Sequence, residues 1–439
     1  MADGSGNSRL PPPPRVGSIA TVTATKGAGR PRTPVAAGTG AIVGARGLRG
    51  FADGFVSVLL ARYLSGLGFS PFQIGAVVTG TLVGSAALTL AVGLAAYRRP
   101  LRTLLLAASG LMLATGVGFA SATAFWLVLT VAVIGTLNPS AGDVSVFLPT
   151  EHAYLADRVD APARPRLYAF YNVAGAVGAA IGALASALPE TLSRLLHWRV
   201  QTAQRGGFLV YAAVGLAVGL LYRRLPAAEV SADTPSQARH PLRQSRLTVL
   251  ELAALFSLDS AGGGLVIQSL LVLWLHLRFG LSPAAMGAVF FAASLLGGAS
   301  QLLAGPIAAR IGLIRTMAFT HLPANAMLAL AAFAPRAGIA IALLLGRALC
   351  SSMDVPARQS FVMAVVRPEE RAAAASVTNV PRSLATAVAP LLTGALLAAS
   401  HAGWPLLIAG VTKMTYDLML LALFRDVPEE VGARRLRQS

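Results

Sequence analysis

This sequence predicts an all-α polytopic membrane protein with twelve transmembrane helices arranged as two pseudo-symmetric six-helix bundles. Three observations carry that expectation. The chain repeats itself at about half its length. Its apolar residues come in membrane-length blocks. Its arginines collect in alternate gaps between those blocks.

The repeat is direct. Gly68-Phe69-Ser70-Pro71 returns as Gly280-Leu281-Ser282-Pro283, and Leu101-Arg102-Thr103-Leu104 as Ile314-Arg315-Thr316-Met317. Gly142-Asp143-Val144 matches Met353-Asp354-Val355, and Asn172-Val173 matches Asn379-Val380, at offsets between about 207 and 213 residues. Two like halves enclosing a midplane cavity is a common build for secondary transporters. The composition agrees: 55% of the 439 residues are hydrophobic and 12% charged, where a soluble domain carries about 25% charged. The net charge of +18 sits in gaps between apolar blocks, which reads as membrane orientation and not as a nucleic-acid surface. A lone Cys350 excludes an internal disulfide and a multi-cysteine metal site.

The elements follow in order. Residues 1–41, rich in Pro, Gly, Ser and Arg, read as a disordered cytosolic tail without a secretory h-region. The first bundle covers 42–222, with spans at 42–66, 72–97, 102–120, 124–156, 167–188 and 207–222. A polar linker at 223–246 carries Pro226, Pro235 and Pro241. The second bundle covers 247–425, with spans at 247–277, 283–311, 314–334, 337–366, 371–398 and 403–425, and 426–439 is a second cytosolic tail. Each block reaches or approaches the roughly 20 residues that cross the hydrocarbon. With both termini inside, one side collects Arg98, Arg99, Arg223, Arg310 and Arg367, and the other far fewer basic residues. The expected location is therefore an inner or plasma membrane, with both ends and the linker cytosolic.

On these residues the chain resembles the major facilitator superfamily over 42–425. The hallmark of that family is a loop after the second helix of each half, roughly Gly-x-x-x-Asp-Arg-x-Gly-x-x-Arg. The first copy here runs from Gly93 through Arg98 to Arg102, and the second from Gly305 through Arg310 to Arg315. Both lack the acidic residue, with Tyr97 and Ala309 in its place. The resemblance implies alternating access, with spans 1, 4, 7 and 10 lining a central cavity and spans 3, 6, 9 and 12 buttressing it.

Ionisable residues at membrane depth are costly and mark functional sites by default. Asp53, Asp143, Asp259 and Arg347 fall in spans 1, 4, 7 and 10. Asp53 and Asp143 are the leading candidates for proton coupling or substrate binding, because a dehydrated carboxylate can exchange a proton. A structural ion pair with an arginine is the competing account. Asp354 and Arg358 are four apart and can pair. With Glu151 and Arg382 they are candidates for a cytosolic gate, where Arg382 could meet Glu369 or Asp354. Pro139 and Pro149 free backbone carbonyls in span 4, as tolerated beside a cavity. Asn172 and Asn379 suggest interhelical hydrogen bonds, and Lys413 and Asp417, also four apart, suggest mutual neutralisation.

No phosphate loop, metal cluster or catalytic triad is evident, so no cofactor, metal or enzymatic activity is expected. The function expected is secondary active transport of a small solute. Proton-coupled efflux of an apolar or cationic compound is favoured, on the reading that the cavity helices are poor in Arg, Lys and Asn. An uncoupled facilitator, an uptake permease and a transporter-like membrane sensor or scaffold are the alternatives. The expected partners are the lipid bilayer, a small-molecule substrate and protons, with no nucleic acid and a monomeric state.

Overall fold

The computed structural model describes residues 38–95, 99–140, 146–158, 164–225, 246–354, 357–358, 361–362 and 371–424. The linker from 226 to 245, both tails, Arg98 and Asp143 lie outside the described residues. The described residues are helical, with no strand among them.

Each of the twelve segments expected from the sequence carries helix. Six form single helices in the first half or its counterpart: α1 (Thr39–Gly66), α2 (Pro71–Ala95), α3 (Leu101–Ser121), α6 (Arg164–Ala185), α8 (Val200–Arg223) and α11 (Pro283–Ile311). Three more do so further on: α12 (Leu313–Ala331), α14 (Arg371–Ala399) and α15 (Trp404–Phe424). The others are interrupted. Segment four splits into α4 (Phe125–Ile134) and α5 (Phe147–Arg158), and segment seven into α9 (Arg246–Leu265) and α10 (Gln268–Phe279), bent by 41°. Segment ten begins as α13 (Ala337–Ser351) and resumes as helix at 357–358 and 361–362. Among the described residues seven helices are long and apolar enough to cross a membrane, or eight with the bent pair as one span. α1 misses that test through its charges, Arg46, Arg49, Asp53 and Arg62.

The duplicated sequence is duplicated in its packing. α1 lies on α6 and α8, α3 on α8, and α2 on α4. In the second half α9 lies on α14 and α15, α12 on α15, and α11 on α13. Small residues bring these backbones together, as expected where lipid offers no hydrophobic drive. A Cβ at Gly54 of α1 would stand 2.0 Å from the Ala179 carbonyl oxygen of α6, and one at Gly182 would stand 2.0 Å from that of Phe51. Outward faces are apolar: Leu90, Trp126, Leu302 and Phe333 are exposed, as suits a lipid-facing surface.

An element absent from the sequence reading is α7 (Leu188–Leu195), a short helix between α6 and α8. It exposes Leu188, Leu192 and Leu195, with Trp198 just beyond. That pattern suits the interface between headgroups and acyl chains.

The two halves meet through α2 on α14, α6 on α11 and α1 on α10. The contacts gather at one end of the bundle, where α1 finishes and α2 begins. We call this the far end, and the opposite one, where α1 begins, the tail end. At the far end Arg62 of α1 meets His276 of α10. A Cβ at Gly75 of α2 would stand 2.6 Å from the Pro390 carbonyl oxygen of α14, and one at Gly287 would be 2.7 Å from that of Ala183. Deeper, Gln268 donates to Ser57 Oγ at 2.8 Å.

Candidate functional site

The first buried cluster is built on α1. Its Gly47, Gly50 and Gly54 face α6 at backbone contact. Arg46, Arg49 and Asp53, spaced three and four apart, therefore share the adjoining face. Arg49 forms an ion pair with Glu151 of α5, with side chains 2% and 0% exposed. Glu151 Oε2 also accepts from Tyr171 at 2.5 Å, and Oε1 accepts from Tyr222 at 2.6 Å. The Arg49 guanidinium stacks 4.3 Å from the centre of the Phe147 ring. So one carboxylate is held by three helices besides its own. Asp53 is buried above this pair, beside Arg49, Arg46 and Asn138.

Segment four is open where the sequence placed Pro139. Helix α4 stops at Ile134, and the freed groups find side chains. Thr136 N–H donates to Thr115 Oγ1 at 3.2 Å, and Tyr211 donates to the Thr136 carbonyl at 3.1 Å. The Pro139 carbonyl accepts from Ser269 of the other half, from Oγ at 2.8 Å and from the backbone N–H at 3.3 Å. The exposed carbonyls expected from Pro139 thus serve as a bridge between halves.

The second cluster lies in the second half. Asp259 of α9 accepts from Lys413 Nζ at 2.5 Å on Oδ1 and from Arg358 at 3.2 Å on Oδ2. Arg358 also pairs with Asp354 at 3.3 Å, as the four-residue spacing suggested. The backbone around Asp259 is tight: a Cβ at Gly262 would stand 2.6 Å from Lys413 Cγ. Arg382 donates to Ser260 Oγ at 2.8 Å. Next to these, Asp417 accepts from Asn325 at 2.8 Å and lies 2.9 Å from His321 Nδ1. A cavity of about 220 Å³ opens among these groups, with Arg347, Arg382 and His321 on its wall.

Three expectations need correction. Lys413 does not neutralise Asp417. Its stem passes Gly262 and reaches Asp259, while Asp417 faces α12 and bonds to His321 and Asn325. Asn172 and Asn379 are exposed, and no hydrogen bond joins either to another helix among the described residues. The cavity helices are not poor in basic groups, since Arg46, Arg49, Arg347 and Arg358 all project from them.

Of the gate candidates, Glu151 lies in the first-half cluster, Asp354 and Arg358 in the second, and Arg382 bonds to Ser260. Glu369 lies outside the described residues. In the loop copies, Arg102 donates to the Arg223 carbonyl at the end of α8, at 2.7 Å. Arg310 and Arg315 are exposed, and a Cβ at Gly305 would meet nothing within 4 Å. Sequence reasoning passed over Arg49, Tyr171, Tyr222 and His321. A buried charge on α1 every three to four residues was the available signal for the first of these.

A helical membrane bundle with a repeated packing pattern and buried ionised clusters defines a class of membrane transport proteins. The family model for the Major Facilitator Superfamily matches residues 42–320 and 253–438, and the chain belongs to that superfamily. It is similar to the uncharacterized membrane protein YJR124C of Saccharomyces cerevisiae, 24% identical over 417 residues, covering 88% of this chain and 93% of that one. Its fold is like that of a D-xylose-proton symporter, with TM-score 0.68, 15% identity and coverage of 90% and 98% of the two chains. It is also like that of the nucleoside transporter NupG, with TM-score 0.66, 14% identity and coverage of 88% and 99%. A bacterial homolog of the human lysosomal transporter Spinster, in an inward-facing and occupied conformation, gives TM-score 0.67 and 14% identity, covering 88% and 95%.

Proposed function

We propose that this chain moves a small solute across an inner or plasma membrane by alternating access, with its halves, 42–222 and 247–425, rocking about the helix pairs that join them. The observation that carries this reading is one-sided closure. Arg62–His276, Gly75 against Pro390 and Gly287 against Ala183 tie the halves together at the far end. Among the described residues, the ion pairs toward the tail end each join residues of one half. With the termini cytosolic, this is an inward-facing arrangement. The gate candidates Glu151, Asp354, Arg358 and Arg382 then stand ready for new partners when the tail end closes.

Proton coupling is assigned to Asp53 and Asp143. Asp53 is buried, lies beside the opened stretch of segment four, and has two arginines as neighbours. Burial favours the neutral carboxyl and cations favour the charged one, so a shift of the arginines during rocking moves the proton. The test uses proteoliposomes loaded with a pH-sensitive dye and challenged with small organic acids, amines, sugars and nucleosides. A solute-dependent pH change that survives insertion but disappears in Asp53→Asn and Asp143→Asn is expected. Solute flux with no dye response, unchanged in both variants, selects an uncoupled facilitator.

The favoured apolar or cationic substrate rested on a scarcity of basic groups along the cavity helices. That ground is gone, and the cavity itself suggests another class.

A further inference from the structure

The cavity of the second half has an unbalanced wall. Its cationic side chains are Arg347, Arg358, Arg382 and Lys413, and its carboxylates are Asp259 and Asp354. The carboxylates are already spoken for. Lys413 takes one oxygen of Asp259 and Arg358 takes the other, and Arg358 also holds Asp354. His321 is bonded to Asp417. Arg347 is left over. Its Nε is shielded from solvent and has no hydrogen-bond partner, and no ion pair joins its guanidinium to a carboxylate among the described residues.

A partly buried guanidinium with no ion-pair partner of its own is open to an incoming acceptor, and its planar fork fits a carboxylate through two parallel bonds. Its position is specific to the second half, because the matching residue of the first half is Thr136. We propose that this cavity binds a small organic anion whose carboxylate pairs with Arg347. Ser351 and Thr386 on the same wall offer hydroxyls to the rest of the molecule. The volume of about 220 Å³ is below the roughly 300–1,000 Å³ of sites that enclose drug-sized ligands. The anion is therefore a compact one. This assignment rests on the transport reading, for which it names the substrate class.

The test is binding to the purified full chain in neutral-lipid nanodiscs, read by calorimetry and thermal unfolding. Lactate, benzoate and succinate serve as carboxylate probes, with choline and glycerol as cationic and neutral controls. A carboxylate binds and raises the unfolding temperature, and the controls do not. Arg347→Gln weakens that binding about ten- to a hundredfold, the loss of one charge-assisted pair. Arg347→Lys, which keeps the charge but not the fork, falls between, and guards against misfolding of the glutamine variant. Choline or glycerol binding with no carboxylate binding overturns the anion assignment and leaves transport standing. Equal carboxylate binding in Arg347→Gln and the parent also overturns it. Arg347-dependent carboxylate binding without flux in proteoliposomes keeps the site and overturns the transport reading instead.

Discussion

Asp259 and Lys413 meet at 2.5 Å across α9 and α15, both buried inside the second half. The pair is the hinge of a small charge network, because the other oxygen of Asp259 holds Arg358. Removing one member of a buried pair strands its partner, at about 3–5 kcal/mol. Asp259→Ala is therefore expected to lower stability by about that amount, measured as thermal or denaturant unfolding in detergent. Replacing both members together, Asp259→Leu with Lys413→Met, is expected to recover a large part of the loss. Equal losses in the single and double variants would remove the pair as the cause.

Glu151 is held by Arg49, Tyr171 and Tyr222. Glu151→Ala leaves a buried guanidinium and two buried hydroxyls without their acceptor, with a similar cost of about 3–5 kcal/mol. Tyr222→Phe removes a single hydrogen bond to a charged group and is expected to cost about 1.5–3 kcal/mol. Comparing unfolding midpoints of the two variants checks the ranking.

Gly75 faces the Pro390 carbonyl and Gly394 at the far end. Gly75→Val cannot fit there without separating α2 from α14. The expected result is greater labelling of cysteines introduced at the far end and less at the tail end, with the protein still folded. Unchanged labelling would show that this contact does not hold the far end closed.

Arg62 and His276 meet across the halves only while the imidazole is neutral and can accept. Other groups facing the ring are the Leu281 carbonyl, at 3.3 Å, and Glu190. Acidification protonates His276 and sets two cations side by side. Far-end labelling is thus expected to rise as pH falls through the titration of His276. His276→Gln is expected to flatten that dependence.

Much of the bundle was legible because its periodicities are strong. The repeat and the apolar blocks follow from the sequence, whereas Pro139 signals freed carbonyls in a segment, 124–156, expected to run unbroken. The polar clusters were only partly legible. Asp354 and Arg358 lie one turn apart, and local spacing reveals such pairs. Lys413 has the same spacing to Asp417, yet its partner is 154 residues away. The choice was made by Gly262, which lets the lysine stem through, and by His321, which occupies Asp417. Arg49 and Glu151 are 102 residues apart, and only the tertiary packing of the first half, with α1 on α6 and α8, brings them together.

The central claim is that two halves, joined at the far end, rock to expose a cavity on alternate sides. Spin labels at Ser121 and Arg336 report the far end of each half, and labels at Arg99 and Arg310 report the tail end. Distances are measured by electron–electron double resonance in nanodiscs, with and without a carboxylate that binds. The account predicts opposite changes, the far-end distance lengthening in the population whose tail-end distance shortens. A single unchanging distance at both ends, under every condition that supports flux, would contradict it.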